Sequence, residues 1–596
     1  MTRRRVTIQA MRPRIERRLI RCMMLAACVI ALGGCAWIPW PAWLEKPIDT
    51  LDDAIQRIDR EVDRVARRLD LPGLSFIVFD ERGILWRRDS GWADVEDGIP
   101  IDEETIFRVG SISKAVTAVE IMRLVDEGQV ELDAAITEYL PDFTVQRLFD
   151  DAEPLTIRSL LTHRSGLPRN GTLPLWMWDA GAAALRDYVA SLAEAYAAYA
   201  PWTRYKYSNV GYCVLGRVIE RLRGGGFPDI MRRELLAPLG MTSSAFVSTR
   251  LASDRTIATG YWPTDDGNVA SHAYDIVTMP SGNLYATASD LARFAQVVLR
   301  DGTIDGERLL SEAALAEMLD ARYAREADPQ TNALGWFTDT TFLGEKAVFH
   351  DGTNDGTISM LALLPERRIG LVAIANSDAF EDAVVELTFD AFDWLRQGLY
   401  RGNRPAAEKE PAIDVPADVL ARYEGTYIAE GEPVAVALRG DRLIADALGV
   451  SMRLRPLSTA RFRAHHPLIP LGEVRFAFSP ELGDDLIVTL GGSYHIYAPR
   501  YPMQASPPEA WEDLLHDYTV HPRHESRYSD ADVLWTTQIA FEDGLLTLDS
   551  TKRIVPIDDE HIRIVGGIFD GEIMDRDPTT GVIEWGAFRY VPTDST

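Results

Sequence analysis

A serine and a lysine stand one helical turn apart where a helix is predicted to begin, and this pair constrains the chain more than any other feature. The segment FRVGSISKAVTAVEIMRLVDEG contains Ser111 and Lys114. Residues i and i+3 share a helix face, with Cβ atoms roughly 5–6 Å apart, so the Lys114 amine can reach the Ser111 oxygen. The unpaired N–H groups at a helix start favour an oxygen that becomes negative. The pair therefore predicts serine acyl-transfer chemistry.

Lysine is scarce in this chain, which adds weight to Lys114. Six of the 62 basic residues are lysines, and only Lys114 has a serine three positions before it. A buried lysine can lose its proton and act as a base, whereas arginine stays protonated in proteins. One alternative stays open at this point, in which Ser111 caps the helix and Lys114 is solvated.

Two other motifs occur once each and carry groups that suit acyl transfer. The Tyr-x-Asn motif at 207–209, in PWTRYKYSNVGYCVLGRVIE, precedes an apolar helical stretch. The His-x-Gly motif at 350–352 ends a predicted strand ahead of a hairpin. Together they supply a phenol, an amide and an imidazole, and the glycine lets a ligand approach the backbone closely.

The order Ser-x-x-Lys, Tyr-x-Asn and His-x-Gly resembles that of the serine β-lactamase and penicillin-binding-protein superfamily, in its class C-like branch with the related D-aminopeptidases and esterases. The resemblance covers roughly residues 50–400 and includes LLTHRSGLP at 160–168. It implies an α/β (α+β) β-lactamase-like transpeptidase fold, with an antiparallel sheet flanked by helices and a helical lobe from about 130 to 280. The active site would then lie between the sheet and the lobe.

The resemblance also assigns roles to the residues of the three motifs. Ser111 corresponds to the nucleophile, and Lys114 and Tyr207 to the coupled base system that takes its proton. The substrate-binding group would consist of Asn209, His350, Gly352 and Thr353. Asn209 would also contact Lys114, and the backbone N–H groups of Ser111 and Thr353 would form the oxyanion hole. Which of Lys114 and Tyr207 accepts the proton is not decided by the sequence.

The third motif, His-x-Gly, favours some activities of the superfamily over others. Many β-lactamases and penicillin targets have a lysine there, whose fixed charge attracts the substrate carboxylate, while a histidine with an unperturbed pKa is mostly neutral at pH 7. This favours a D-aminopeptidase or esterase that acts on a small-molecule or peptide substrate, such as a D-amino acid derivative or a peptidoglycan fragment. Two alternatives stay open: a β-lactamase or D-Ala-D-Ala carboxypeptidase, and a non-catalytic penicillin-binding or cell-wall-binding lipoprotein.

The remaining histidines and cysteines receive structural interpretations. His163, in LLTHRSGLP, is expected to order a turn, and Cys213 to be a small core residue on a helix face. The histidines beyond residue 400 lack regular ligand spacing with cysteines or acids. We therefore expect neither a metal site nor a cofactor.

The N-terminus predicts export and a lipid anchor. The apolar run at 23–32 follows a basic segment; it is too short for a transmembrane helix but fits a secretory signal. LGGC at 32–35 resembles the bacterial lipobox, which implies a signal peptide at 1–34 and lipid attachment at Cys35. Ala36 lacks the aspartate that marks inner-membrane retention, so we expect a periplasmic protein anchored to the outer membrane. An uncleaved anchor or ordinary export is the alternative.

The chain is strongly acidic, with a formal net charge of −28 at pH 7. Such a charge argues against nucleic acid or an anionic membrane surface as a partner. The association with a membrane that we expect is therefore through the lipid at Cys35.

Composition shifts predict the boundaries of the domains. A stalk at 35–50 precedes the catalytic domain at 51–401, and the Pro/Ala/charge segment at 402–416 is a linker. Within the catalytic domain, 74–79 and 84–92 are predicted to form a hairpin of the sheet.

A weak internal repeat characterises the chain beyond this linker. VALRGDRLIAD at 436–446 matches IAFEDGLLTLD at 539–549, and short strand-like runs with turn signals surround both segments. The first copy resembles the lipocalin-like modules appended to some hydrolases of this superfamily. The resemblance implies two small antiparallel β-barrel domains, at 417–500 and 508–596.

Overall fold

A computed structural model describes two parts of the chain, which belong to two compact units. The first part covers residues 48–400, with gaps at 151, 174–182, 273, 321, 323–329 and 340–344. The second covers 412–593, with gaps at 430–431, 467–473, 480–484, 491–493, 502–513, 523–534, 543–544, 550–551 and 567–568. The predicted signal peptide, Cys35 and the segment 402–411 of the predicted linker lie outside the described residues.

The first unit combines one large sheet with many helices. Its helices are α1 (Leu51–Arg68), α2 (Ile112–Asp126), α3 (Ile136–Tyr139), α4 (Ile157–Leu161), α5 (Ala184–Ala190), α6 (Asn209–Arg223), α7 (Phe227–Met231), α8 (Met279–Gly282), α9 (Ala288–Leu299), α10 (Glu312–Met318) and α11 (Glu381–Tyr400). Its strands are β1 (Gly73–Asp80), β2 (Ile84–Asp94), β3 (Ile99–Pro100), β4 (Phe107–Arg108), β5 (Tyr261–Thr264), β6 (Gly267–Ala270), β7 (Tyr285–Ala286), β8 (Thr303–Ile304), β9 (Glu307–Arg308), β10 (Gln330–Asn332), β11 (Phe337–Asp339), β12 (Ala347–Asn354), β13 (Thr357–Leu364) and β14 (Ile369–Ala375). No helix within the described ranges combines the length and apolar composition needed to cross a membrane.

An antiparallel sheet organises this unit. In the described residues its strand order is β10-β11-β12-β13-β14-β1-β2-β3. β1 pairs with β14, with Leu74 opposite Ala375 and Asp80 opposite Ile369, so strands from the two ends of the unit are neighbours. One face of the sheet packs on α1 and α11, and the other packs on α2 and α9. The prediction of an antiparallel sheet flanked by helices, including the hairpin β1–β2, is confirmed.

The first helix illustrates how local sequence produces this packing. Thr50 caps α1, because its side-chain oxygen accepts the Asp53 N–H at 3.1 Å. Two acids occupy the first turn and two arginines the last, which complements the helix dipole. The buried residues of α1 recur three or four positions apart and face the sheet: Ala54, Ile58, Val62 and Val65.

Helix α2 is buried along most of its length and carries the Ser-x-x-Lys motif at its start. Its residues from Ile112 to Met122 are all buried. Ser113 Oγ donates a hydrogen bond to the Gly110 carbonyl at 2.6 Å and accepts the Leu284 N–H at 2.9 Å. These bonds tie the helix start to the segment before β7, so they fix the backbone next to Ser111.

The second unit contains two antiparallel β-structures, each of eight strands in the described residues. It begins with α12 (Ala417–Leu420), and its strands are β15 (Gly425–Ala429), β16 (Glu432–Arg439), β17 (Arg442–Ala447), β18 (Val450–Pro456), β19 (Arg461–His465), β20 (Arg475–Ser479), β21 (Asp485–Leu490), β22 (Tyr494–Ala498), β23 (Asp517–Pro522), β24 (Trp535–Glu542), β25 (Leu545–Leu548), β26 (Lys552–Pro556), β27 (His561–Val565), β28 (Ile573–Arg576), β29 (Ile583–Trp585) and β30 (Phe588–Pro592). β23 pairs with β30 and closes the second barrel, while a bridge from Tyr427 to Arg500 nearly closes the first. The two predicted barrels are confirmed, and their exact boundaries stay predictions.

The weak sequence repeat coincides with equivalent positions in the two barrels. The segment 436–446 forms most of the hairpin β16–β17, and 539–549 forms most of the hairpin β24–β25. Each is the second and third strand of its barrel. The repeat therefore reflects two copies of the same strand order.

Candidate active site

Ser111 lies at the start of α2, and its hydroxyl has no capping role. It occupies the N-cap position with φ −67°, and its side chain makes no cap hydrogen bond. Gly110 has φ +51°, in the left-handed region that favours glycine. A Cβ at Gly110 would lie 2.8 Å from the Thr353 nitrogen, so the backbone of β12 passes directly against the helix start. The alternative in which Ser111 caps the helix is wrong.

The Lys114 amine is buried beside the Ser111 oxygen. Its Nζ lies 3.1 Å from Ser111 Oγ and 2.6 Å from the carbonyl oxygen of Ser281. The side chain is fully buried, so the alternative of a solvated Lys114 is also wrong. Burial, together with the nearby charge of Arg169, lowers the pKa of Lys114 well below its usual range. A neutral amine at this distance can take the serine proton.

Tyr207 donates its hydroxyl to the same oxygen. The distance from Tyr207 Oη to Ser111 Oγ is 2.8 Å, and Lys114 Nζ lies 4.7 Å from the centroid of the Tyr207 ring. Burial, reinforced by the charge of Asp351, raises the pKa of the Tyr207 phenol. The phenol therefore keeps its proton near neutral pH, and the opposite shifts favour Lys114 as the proton acceptor.

His163 packs on Tyr207 and was expected only to order a turn. Its ring lies 4.3 Å from the Tyr207 ring, and its Nδ1 accepts the Ser208 N–H at 3.0 Å. Burial and the neighbouring Lys114 lower the pKa of His163 well below its usual range, so the imidazole is neutral. His163 does have a backbone conformation typical of turns, with φ +56°. The expected role is thus incomplete, because the ring also supports the phenol.

Arg169 brings a permanent positive charge to the site. Its guanidinium carbon lies 5.1 Å from the centroid of the Tyr207 ring, and its carbonyl accepts the Asn209 N–H at 2.9 Å. Sequence reasoning did not single out this residue. The available signal was its position immediately after LLTHRSGLP, the segment that also contains His163.

Asn209 begins helix α6 beside this cluster. Its Nδ2 donates to Asn170 Oδ1 at 2.9 Å. The expected contact between Asn209 and Lys114 is not among the hydrogen bonds of the described residues, and the Lys114 amine binds the Ser281 carbonyl instead. Sequence reasoning missed Asn170 and Ser281, since neither belongs to one of the three motifs.

His350 and Gly352 lie on β12 and face Ser111's helix. Burial, and then the charge of Lys114, lower the pKa of His350 to about 3, so the ring is neutral. Its Nδ1 donates to the Asp351 carbonyl at 2.6 Å. A Cβ at Gly352 would lie 2.1 Å from the Val109 carbonyl oxygen, so only glycine lets the strand approach this closely. The third motif therefore places a neutral imidazole in the site and brings the backbone of β12 close to the residues that precede α2.

The site lies along the outer edge of β12. In the described residues β11 pairs with β12 only from Ala347 to Phe349, so the following residues form hydrogen-bonded pairs with β13 alone. Thr353, on this edge, has its backbone against Gly110, as the predicted oxyanion hole requires. Asp351 lies on the same edge, and 50% of its side-chain surface is exposed.

The structure thus brings the predicted site residues into one cluster. Ser111, Lys114 and Tyr207 are joined by hydrogen bonds. The substrate-binding candidates surround them on α6 and β12: Asn209, His350, Gly352 and Thr353. The catalytic and binding roles of these residues stay predictions. Cys213 is buried within α6, which agrees with a core role.

Fold and site together define a serine hydrolase. The chain belongs to the Beta-lactamase family, whose sequence profile matches residues 58–392. Penicillin-binding protein 4 of Amycolatopsis lactamdurans is 30% identical over 369 residues, which cover 61% of this chain and 94% of that protein. Esterase EstB of Burkholderia gladioli is 36% identical over 209 residues, which cover 32% of this chain and 51% of that protein.

Solved structures show the same fold. The protein in the crystal structure of SurE has 24% sequence identity with this chain. The two structures match with a TM-score of 0.55, and the match covers 76% of this chain and 99% of the SurE chain. The octameric penicillin-binding protein homologue from Pyrococcus abyssi has 22% sequence identity with this chain. The two structures match with a TM-score of 0.50, and the match covers 75% of this chain and 100% of that protein's chain.

Proposed function

We propose that the protein is an exported serine hydrolase of the D-aminopeptidase or esterase type, with Ser111 as its nucleophile. The observation that carries the proposal is the pair of contacts to Ser111 Oγ, at 3.1 Å from the Lys114 amine and 2.8 Å from the Tyr207 hydroxyl. Opposite pKa shifts leave one group able to accept a proton and the other able to donate one. Acyl transfer needs both functions beside its nucleophile.

The reaction steps follow from these positions. Lys114 takes the proton of Ser111 as the oxygen attacks the substrate carbonyl, and the N–H groups of Ser111 and Thr353 stabilise the tetrahedral oxyanion. As the carbonyl re-forms, Tyr207 donates a proton to the departing amine or alcohol, and Lys114 returns a proton to Tyr207. Water then attacks the acyl-enzyme through the same groups in reverse order and releases the acid.

The substrate that we propose carries an amine close to the scissile bond. His350 is neutral, so the third motif provides no fixed positive charge for a substrate carboxylate. Asp351 beside it presents a half-exposed carboxylate, which attracts a substrate ammonium. An α-amino amide or ester fits both features, and the resemblance to D-aminopeptidases favours the D configuration.

β-Lactamase or D-Ala-D-Ala carboxypeptidase activity is the second candidate. The Arg169 guanidinium, 5.1 Å from the Tyr207 ring, can attract a substrate carboxylate in place of a lysine in the third motif. The Amycolatopsis relative is named a penicillin-binding protein. Because the family consists of hydrolases, we do not propose the non-catalytic alternative.

A substrate panel separates the two candidates. The panel consists of D- and L-alanine amides, p-nitrophenyl acetate and a chromogenic cephalosporin. We expect the highest kcat/KM on a D-amino acid amide or the ester, and slow turnover of the cephalosporin. Cephalosporin turnover equal to that of the best ester would favour the second candidate.

Covalent labelling tests the nucleophile directly. A fluorophosphonate should add mass to the peptide that contains Ser111 and should not label Ser111→Ala; equal labelling of both would show that another residue is the nucleophile. Lys114→Ala and Tyr207→Phe should each lower kcat by several orders of magnitude. The double variant should be little worse than the worse single one, because groups that act as a unit are not additive.

We also propose that the chain is anchored to the outer membrane through Cys35. The support is the sequence LGGC after a basic and apolar leader. In cells fed an alkyne analogue of palmitate, the wild-type chain should acquire the label and Cys35→Ser should not. Labelling of Cys35→Ser would contradict the anchor.

A further inference from the structure

Helix α8 presents two consecutive backbone carbonyls to helix α2. The Ser281 carbonyl oxygen lies 2.6 Å from Lys114 Nζ. The Pro280 carbonyl accepts a hydrogen bond from Thr117 Oγ1 at 2.8 Å. The last carbonyls of a helix have no donor within that helix, so those of the short α8 are available to a neighbouring element. Lys114 and Thr117 lie three residues apart and therefore share the face of α2 that meets α8.

The hydroxyl of Thr117 serves this one contact. Thr117 is fully buried, and its bond to the Pro280 carbonyl is the only hydrogen bond of its side chain among the described residues. Pro280 is buried as well. Because a buried carbonyl cannot exchange a lost donor for water, removal of the hydroxyl is costly and favours a shift of the backbone toward another donor. Thr117 therefore fixes where α8 lies against α2.

Two further contacts hold the same segment. Beyond α8, the Leu284 N–H binds Ser113 Oγ at 2.9 Å, so α2 contacts the chain on both sides of Ser281. A Cβ at Gly216 of α6 would lie 2.3 Å from Pro280 Cγ, so the proline ring packs directly on the backbone of α6. The Ser281 carbonyl thus lies between two points of attachment to α2, and its position follows from theirs.

The position of the Ser281 carbonyl decides where the lone pair of the Lys114 amine points. A neutral amine has two N–H groups and one lone pair, and only the lone pair can accept the Ser111 proton. An N–H donated to Ser281 limits rotation about the last bond of the lysine side chain, which leaves the lone pair free to face Ser111 Oγ at 3.1 Å. A displacement of about 1 Å at a reacting group costs about 100-fold in rate.

We propose that Thr117 is a positioning residue for the base. Its hydroxyl holds the Pro280 carbonyl and so fixes the Ser281 carbonyl beside it. That carbonyl then orients the Lys114 amine toward Ser111. The inference rests on the proposed function, in which Lys114 accepts the serine proton. It assigns a role to a residue outside the three motifs, since Thr117 acts through α8 and not through the substrate.

The same geometry predicts the direction of a pH effect. A carbonyl binds an ammonium more strongly than it binds a neutral amine, so a displaced Ser281 carbonyl stabilises protonated Lys114 less and lowers its pKa. The amine then stays neutral to a lower pH, and the acid limb of the kcat/KM profile moves to lower pH. The titratable groups around the amine are the same in wild type and in variants at Thr117: His163, Arg169, Tyr207, Tyr212, Cys213, His350 and Asp351.

Steady-state kinetics and covalent labelling of the full chain test the inference. Thr117→Val replaces the hydroxyl with a methyl group and should lower kcat for p-nitrophenyl acetate by about 100-fold, with KM nearly unchanged. Fluorophosphonate labelling of Ser111 should slow by a similar factor. Thr117→Ser retains the hydroxyl and should keep most of the wild-type rate. Thr117→Ala also lacks the donor but places no methyl group against the carbonyl, so it should lose activity in the same way even where Thr117→Val does not fold.

Thr388→Val is the matched control, because it makes the same change at a buried threonine of α11 whose hydroxyl has no hydrogen-bond partner among the described residues. It should keep the kcat and the pH profile of the wild type. Wild-type rates or an unmoved acid limb in Thr117→Val and Thr117→Ala, whatever their melting temperatures, would overturn the inference, as would an equal loss in Thr388→Val. A wild-type chain that does not label at Ser111 would instead refute the proposed function, and the inference with it.

Discussion

The imidazole of His163 lies against the phenol ring of Tyr207, with ring centroids 4.3 Å apart and planes inclined by 30°. The same imidazole accepts the N–H of Ser208, the next residue, at 3.0 Å. His163 thus supports both the Tyr207 ring and the backbone that follows it. It is a positioning residue for the hydroxyl that bonds to Ser111.

We predict that His163→Phe lowers kcat by about 100-fold and leaves KM nearly unchanged. The variant keeps an aromatic ring but removes the acceptor for Ser208, and a small displacement of a reacting group costs about this factor. His163→Asn keeps a short acceptor and should recover part of the loss. Steady-state kinetics and melting curves check this; a fall in melting temperature without a fall in kcat would contradict a positioning role.

We predict that Arg169→Gln moves the acid limb of the pH profile of kcat/KM to higher pH. Removing a positive charge makes the protonated Lys114 amine more favourable, so the pKa of Lys114 rises. Only the neutral amine accepts the serine proton, and activity is therefore lost at a higher pH than in the wild type. Arg169→Lys retains the charge and should keep the wild-type profile. Equal shifts in both variants would contradict the electrostatic role.

We predict that Asp351→Asn lowers the preference for amine-bearing substrates by about tenfold. The change removes the charge and keeps the shape, and a hydrogen bond to a charged group contributes roughly 1.5 kcal/mol or more. The measurement is the ratio of kcat/KM for D-alanine p-nitroanilide to that for its N-acetyl derivative. Glu366→Gln, an exposed change in the turn after β13, is the control. An unchanged ratio in Asp351→Asn would contradict the proposed contact between the Asp351 carboxylate and the substrate ammonium.

We predict that His350→Lys raises the ratio of cephalosporin to ester kcat/KM by about 10- to 150-fold. A lysine there would supply a fixed charge for the carboxylate that only the cephalosporin carries, and such a contact contributes roughly 1.5–3 kcal/mol. His350→Gln, which adds no charge, is the comparison. A ratio that rises equally in both variants would point to space rather than charge as the cause.

The contacts predicted best from sequence are those within one helical turn. Lys114 reaches Ser111 because residues three apart share a face, and this spacing is visible in the sequence. The bond from Tyr207 to Ser111 joins residues 96 positions apart, and only the resemblance to a known family indicated it. The two barrels were predicted by the resemblance to appended lipocalin-like modules, and the weak repeat coincides with equivalent hairpins of the two barrels.

The contacts that sequence reasoning missed depend on how separate segments meet in space. Arg169 and Asn170 follow a proline in a loop, and nothing in their local pattern shows that they face Tyr207 and Asn209. The hydrogen bonds of the described residues join the Lys114 amine to the Ser281 carbonyl on another segment and include none to Asn209, a pairing that local sequence does not show.

Gly110 has a consequence for how this enzyme can be altered. Residue 110 can lie against the backbone of Thr353 because glycine has no Cβ. A Cβ at this position would come within 2.7 Å of the Thr353 carbonyl oxygen. Both donors of the proposed oxyanion hole are peptide groups, which every residue type except proline supplies alike. Side-chain substitutions can therefore change substrate specificity, but they should have little effect on how strongly the two N–H groups polarise the substrate carbonyl. Engineered or natural variants should differ widely in specificity while they share one spacing of the main chain at this point.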